Sequence, residues 1–315
     1  MITRKATDKQ ILRASAGIQK ANRVKPLTNA LITALFIILA LITLIPAVFV
    51  LILSLSSEAS IQAVGYSFFP KEWSLYTYEY LWREKAVLGR SLLNSLYVTA
   101  GGTFLGLTLC STMGYSLSRP NYIFRKFFSY FIFIPMLFGG GLVSSYMVNT
   151  QIYNLRNTYW ALILPIAVSS FYIIVMRTFF QTTIPDSVIE SAKMDGARQF
   201  RIFTQIVLPI SLPAIATVGL FLTFAYWNDW FQAAVYLNTN RQDLYPLQYV
   251  LISIERNVEF ITRNAQYISA GDFEKLPGET IRMAIVMVVV VPIACSYPFF
   301  QKYFISGLTI GAVKG

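Results

Sequence analysis

ESAKMDGA, residues 190–197, sets Glu190, Lys193 and Asp195 in one compact run, and Leu208-Pro209 follow eleven residues after Ala197. The run lies between two stretches apolar enough to cross a bilayer. What a charged, turn-bearing unit does there depends on which side of a membrane it faces and on what docks on it.

The surrounding composition is that of a membrane protein. Of 315 residues, 55% are hydrophobic and 13% are charged, with a mean hydropathy of +0.54. Soluble domains average about 25% charged residues, so lipid is the expected solvent. The chain has no His, which removes the commonest general acid-base group and the commonest zinc ligand. Cys110 and Cys295 both fall in apolar runs and read as buried small hydrophobes rather than a disulfide framework. No metal site is expected.

A helix needs about 20 mostly apolar residues to cross the hydrocarbon core. Six stretches reach that length: Leu27–Leu55, Leu92–Leu117, Phe127–Val148, Tyr159–Phe180, Ser211–Trp230 and Met283–Phe304. The expected fold is therefore an all-α membrane protein with six transmembrane helices. The first run is too long for a signal peptide and follows a polar arm, residues 1–26.

Lys and Arg give the orientation. The arm carries Arg4, Lys5, Lys9, Arg13, Lys20, Arg23 and Lys25 against Asp8 alone. With the loops after spans two and four and the tail, that side holds 16 basic and 4 acidic residues, the other 10 and 11. By the positive-inside rule both termini are cytoplasmic. The net charge of +11 is thus a topology signal, and nucleic acid is not an expected partner.

Pro46, Pro135, Pro165, Pro213 and Pro292 sit inside the spans, and Gly102 and Gly106 form a small-xxx-small pair. Helix packing and tolerated kinks account for these. Gly139-Gly140-Gly141 predicts a break or hinge, because three glycines in a row give up helix propensity.

Orientation places ESAKMDGA inside the cell. A helix is expected over IPDSVIESAKM, capped by Asp186 or Ser187. Asp195-Gly196 supply a turn, with Gly196 suited to a left-handed backbone. A second helix over ARQFRIFTQIV puts Phe200, Phe203 and Val207 on one face and ends at Leu208-Pro209. Two readings stand: a rigid knob held by another protein, or an amphipathic helix resting on the lipid interface.

Several activities are absent from the pattern. There is no G-x-x-x-x-G-K-[ST] loop to cradle a nucleotide, and no nucleophile-base set without His. Carboxylates are nearly missing from the spans, Asp229 at the outer end of span five being the nearest, which argues against a proton-coupled carrier. A candidate substrate pathway is TFAYWNDWF, where Tyr226, Trp227, Asn228, Asp229 and Trp230 combine aromatic faces with amide and carboxylate acceptors. Sugars offer apolar C–H faces and hydroxyl edges to such a set. Interface anchoring and backbone capping explain the same residues equally well. Asn94 and Tyr97 in span two are weaker candidates. The external segment 231–281 and PKEWSLYTYEYLW after span one are candidate docking surfaces, with SAGDFEKLPGE a surface loop.

E-S-A-x-x-D-G-A with I-V-L-P behind it resembles the EAA loop of bacterial ABC importer permeases. PFFQKYFISGLTIGAVKG at the C-terminus, NSLYVT and FFPKEWSLYTYEYLW resemble the carbohydrate-uptake class, that of the smaller maltose-importer permease. AYWNDWFQAAVYL and YPLQYVLI are similar to the branch served by polysaccharide-binding lipoproteins. The resemblance covers essentially all of the chain after the arm. It implies a permease domain over 27–315 with a coupling region at 187–209. Glu190, Ser191, Ala192, Asp195, Gly196 and Ala197 would dock on a cytosolic ATPase, Glu190 pairing with a basic residue there. Ser191 departs from the usual Ala and is small enough for the same approach. Gly311, Ala312, Val313 and Lys314 would reach between two ATPase subunits. The implied partners are a second, related permease subunit, two ATPases that use ATP and Mg, an external binding lipoprotein and a carbohydrate, in the bacterial cytoplasmic membrane. No cofactor bound by this chain is implied. A secondary carrier or channel is the alternative.

Overall fold

The computed structural model describes residues 25–83, 85–263 and 278–312. The arm up to Val24, SAGDFEKLPGE up to Pro277, and Val313, Lys314 and Gly315 lie outside the described residues. The architecture is all-helical, with one isolated antiparallel bridge between Ser56 and Trp73 among the described residues.

Helix α1, Pro26–Ser54, starts on a proline, whose fixed φ and missing N–H suit the first helical position. It runs through Pro46, and only Leu53 and Ser54 of its residues are buried. Its C-terminal end is tied to the segment that succeeds it: Ser54 Oγ lies 2.8 Å from Tyr78 Oη, and Ser57 N donates to Glu72 O at 3.0 Å. Short helices α2, Glu58–Val64, and α3, Tyr76–Arg83, lead into α4, Lys85–Ser118.

The expected third span is not one continuous helix. It divides into α5, Arg125–Leu137, and α6, Gly141–Met147, the latter running into a π turn over Val148–Ile152. The break falls on the glycine triplet, with Gly141 at φ +79°, a left-handed conformation that β-carbons disfavour. The fourth span is also bent, by 48°, between α7, Tyr159–Ala167, and α8, Ser170–Thr183. There follow α9, Asp186–Met194; α10, Gln199–Ile210; α11, Leu212–Trp227; α12, Phe231–Tyr236; α13, Leu247–Arg263; and α14, Glu279–Ala312. A 3-10 segment, Thr239–Leu244, joins α12 to α13. Among the described residues, α1 and α4 are each long and apolar enough to cross a membrane, and four crossings result if each bent pair, α7–α8 and α10–α11, counts as one. The expected sixth run lies inside α14.

Helix α4 is the centre of the bundle, packed against α7, α8 and α11. Small residues make this possible. A β-carbon at Gly102 would come within 2.4 Å of the Tyr226 ring, and one at Gly114 within 2.8 Å of Met176 Cβ and 3.0 Å of Arg177 N. Phe180, Met176, Leu222 and Val218 fill the core around these contacts. Cys110 is fully buried here. Cys295, expected to be buried as well, is exposed on α14, where an apolar run faces outward rather than into the bundle.

At the end of the bundle where α1 closes, Glu58 caps α14. Its carboxylate accepts from Glu279 N and Thr280 N, both at 3.1 Å, and from Thr280 Oγ1 at 2.9 Å. Thr77 Oγ1 donates to Thr280 Oγ1 at 2.9 Å. A carboxylate at a helix N-terminus satisfies orphan amides and favours the helix dipole. Glu58→Ala is expected to weaken that first turn by about 1 kcal/mol, read as about fivefold faster hydrogen exchange at the amides of Glu279 and Thr280. Unchanged exchange would mean that the cap contributes nothing.

Candidate coupling unit and membrane pathway

Pro185 sets an extended residue directly before α9, so the chain enters the helix at Asp186. Neither Asp186 nor Ser187 is the cap: Pro185 occupies that position and makes no side-chain bond. Asp186 sits in the first turn, where negative charge suits the dipole, and its carboxylate reaches Arg119 at 3.1 Å. The helix closes with Ala197 N bonded to Ala192 O and Gly196 N to Lys193 O, both at 3.0 Å. That pair of bonds requires a left-handed residue, and Gly196 has φ +78°. Ala192 is buried, while Glu190, Ser191, Asp195 and Gly196 are exposed and Ala197 is partly so. Met194, 88% exposed, stands with them, so the unit shows an apolar tip beside its charges.

Helix α10 differs from its expected pattern in two ways. Its buried stripe is Ile202, Phe203 and Val207, whereas Phe200 is 78% exposed. At about 100° per residue, Phe200 lies a quarter-turn from the middle of that stripe. The helix also continues past Leu208-Pro209 to Ile210, and the chain turns by 82° into α11. Phe203–Val207 form a π turn in which Leu208 N reaches back to Phe203 O. Such a widened turn admits Pro209 without ending the helix.

The side chains of TFAYWNDWF do not converge on one site but take separate partners. Tyr226 is buried and donates to Ile163 O at 2.8 Å. Trp227 is buried on another side and donates to Val289 O at 3.3 Å. Asn228 is exposed and closes the end of α11 by donating to Phe224 O at 3.0 Å. Asp229 accepts from Gln232 N at the start of α12. Trp230 carries the Arg256 guanidinium over its ring at 5.2 Å. Asn94 is buried and occupied: its Nδ2 donates to Asp243 O and Tyr245 O, and its Oδ1 accepts from Tyr159 Oη at 2.7 Å. Tyr97 is exposed, edge-on to Tyr159. Of these side chains, Tyr97 and Asn228 present most surface.

The segment 231–281 is folded where it is described. Arg241 donates two bonds to Asp243, at 2.9 and 3.1 Å, and a third to Asn157 O. The guanidinium holds the Asp243 carboxyl below the usual carboxylate range. Near the start of α14, Tyr66 donates to Glu279 at 2.9 Å, and that bond to a carboxylate raises the phenol above its ordinary value. Gly311 and Ala312 lie in the last turn of α14; Val313 and Lys314 lie outside the described residues.

Sequence reasoning passed over Arg119, which counted only as a topology charge. Its partners, Phe180 O and Asp186, are 61 and 67 residues away, and no local spacing could announce them.

Long apolar helices thus surround a glycine-seated bundle that carries a charged helix-turn-helix at one end. Residues 102–310 match the family described as binding-protein-dependent transport system inner membrane component, and the chain belongs to that family. It is 36% identical to the polygalacturonan/rhamnogalacturonan transport system permease protein YtcP of Bacillus subtilis, across 92% of this chain and 99% of the relative. It is 35% identical to Protein LplC of the same organism, across 87% and 90%. Its fold is similar to the crystal structure of a bacterial ABC transporter involved in the import of the acidic polysaccharide alginate, with a TM-score of 0.74, 28% identity, and 88% and 96% of the two chains covered. The chain is an ABC transporter permease subunit.

Proposed function

We propose that this chain forms half of the pathway of an ATP-driven importer for a carbohydrate, an oligosaccharide or polysaccharide fragment. The names of its relatives favour a uronate-containing glycan. Six crossings are assigned to α1, α4, α5–α6, α7–α8, α11 and α14, with α9 and α10 on the cytoplasmic face and both termini inside. A second permease subunit completes the pathway, two ATPase subunits supply the force from ATP and Mg, and an external lipoprotein delivers cargo to the outer loops.

The observation that carries this reading is the glycine-closed helix Asp186–Met194, which buries Ile189 and Ala192 and leaves Glu190 at its middle and Met194 at its end exposed. It is a stiff, compact shape that a groove on another protein can hold. Tyr97 and Asn228 are the side chains proposed to meet the cargo, through a ring face and an amide. Alternating access then requires two bundle states of comparable energy, biased by nucleotide on one side and loaded binder on the other.

Reconstitution tests it. Proteoliposomes holding this chain with its second permease, ATPases and binder are expected to accumulate oligogalacturonide only when ATP is enclosed with the ATPase. Accumulation by this polypeptide alone would overturn the proposal in favour of a self-sufficient carrier or channel.

A further inference from the structure

One helix is fastened at both ends to the two surfaces that transport must connect. Helix α4 is 34 residues long and contains no proline, which gives it a length of about 50 Å. At its inner end Arg119 is only 14% exposed and binds three elements. Nη1 donates to Asp186 on α9 at 3.1 Å, Nη2 to Phe180 O at the end of α8 at 3.2 Å, and Nε to Ser118 Oγ at 2.9 Å. The guanidinium lies 5.3 Å over the ring of Tyr115. Tyr115, one turn earlier, holds the other arm of the cytoplasmic unit: its ring lies 5.1 Å from Phe203, and its hydroxyl points to Gln199 Oε1 at 3.3 Å. Both α9 and α10 are thereby attached at the same end of α4, α10 to its last turn and α9 to the residue that follows it.

At the outer end, Asn94 holds Asp243 O and Tyr245 O at 2.8 and 3.1 Å, and Ser95 Oγ accepts from Leu247 N at 2.8 Å. These bonds fix the 3-10 segment and the start of α13. Between the two attachments, Gly102, Gly106 and Gly114 bring α4 against α7, α8 and α11, with no room for a β-carbon at Gly102 and Gly114 and a tight fit at Gly106. A helix clasped this closely cannot slide or bend independently of its neighbours. We propose that α4 is a transmission strut in which Arg119 and Tyr115 clasp the coupling unit and Asn94 and Ser95 clasp the external segment. Arg119 and Asn94 act as positioning residues. The inference rests on the reading of Glu190–Ala197 as the ATPase-docking unit.

The Asp186 side of the Arg119–Asp186 pair is 63% exposed, and an ion pair with so solvated a partner contributes little to stability. Its role is geometric, since it joins elements that otherwise meet only through packing. The test uses the assembled complex and two readouts, ATPase retained on purification and hydrolysis stimulated by loaded binder. Arg119→Ala is expected to keep the ATPase bound and to lower binder stimulation by about fivefold or more. Arg119→Lys should lower it less, because the charge stays while the forked geometry goes. Asn94→Ala should reproduce the loss from the outside. The double variant should be no worse than the stronger single, because both cut one link. Arg119→Asp combined with Asp186→Arg should restore part of the stimulation that Arg119→Asp removes, which a purely structural role does not require. Full stimulation in Arg119→Ala and Asn94→Ala, or losses that multiply, would overturn the strut. Glu190→Lys separates the two ideas: if it abolishes stimulation while Arg119→Ala does not, docking stands and the strut falls. If Glu190→Lys leaves ATPase binding and stimulation intact, the docking reading itself fails.

Discussion

Gly114→Ala is expected to be the most damaging single-methyl change in the bundle. The added carbon would meet Met176 Cβ at 2.8 Å, Arg177 N at 3.0 Å and Ile173 O at 3.2 Å. Two of these are backbone atoms of α8 and the third is attached to it, so no side chain can swing away. α4 and α8 must separate, at an expected cost of about 1–3 kcal/mol. Gly89→Ala on the same helix is the control. A β-carbon there meets nothing within 4 Å, and alanine for glycine in a helix contributes about 0.5–1 kcal/mol of stability. The two substitutions should therefore move the melting temperature of the purified complex in opposite directions. Equal melting temperatures would show that α4 and α8 are not seated as described.

Gly196→Val is expected to abolish uptake while leaving insertion and overall stability nearly unchanged. Nothing lies within 4 Å of a β-carbon at this position, so sterics with neighbours play no part. The obstacle is the backbone, because φ +78° costs an L-residue about 1–2 kcal/mol and more with a branched β-carbon. The turn would open, releasing Ala197 N from Ala192 O and moving the end of the helix that carries Met194. Uptake is expected to fall by more than about tenfold, since tight geometry is what coupled motions require. Asn at the same position tolerates the left-handed region and should retain most transport. If valine transported as well as asparagine, the turn would not matter to coupling.

The contrast between these two glycines shows what the sequence discloses. Gly196 was legible because a glycine after a helical run, preceded by Asp, has a local reason to be there. The break at Gly139-Gly140-Gly141 was legible on the same ground. Gly114 carried no such signal, since its reason is α8, some sixty residues further on. Phe200 failed for a related cause: periodicity groups residues into faces without saying which face is covered. The aromatic set Tyr226 to Trp230 looked like a cluster only because adjacent letters suggest adjacent rings. On a helix that ends at Trp227, successive residues point about 100° apart, and Tyr226 and Trp227 enter different parts of the interior. Asn94 stands out as a polar residue in an apolar run, but its acceptors lie 149 and 151 residues away.

Helix α1 leaves one mechanical implication. Apart from its neighbour α14, it is held at its Ser54 end, and Thr43, a polar residue midway along it, folds its hydroxyl back onto Ala40 O at 2.8 Å. Hydrocarbon gives no push of its own toward helix association. So most of the length of α1 is left open to lipid or to another chain, with α14 as its long packing neighbour.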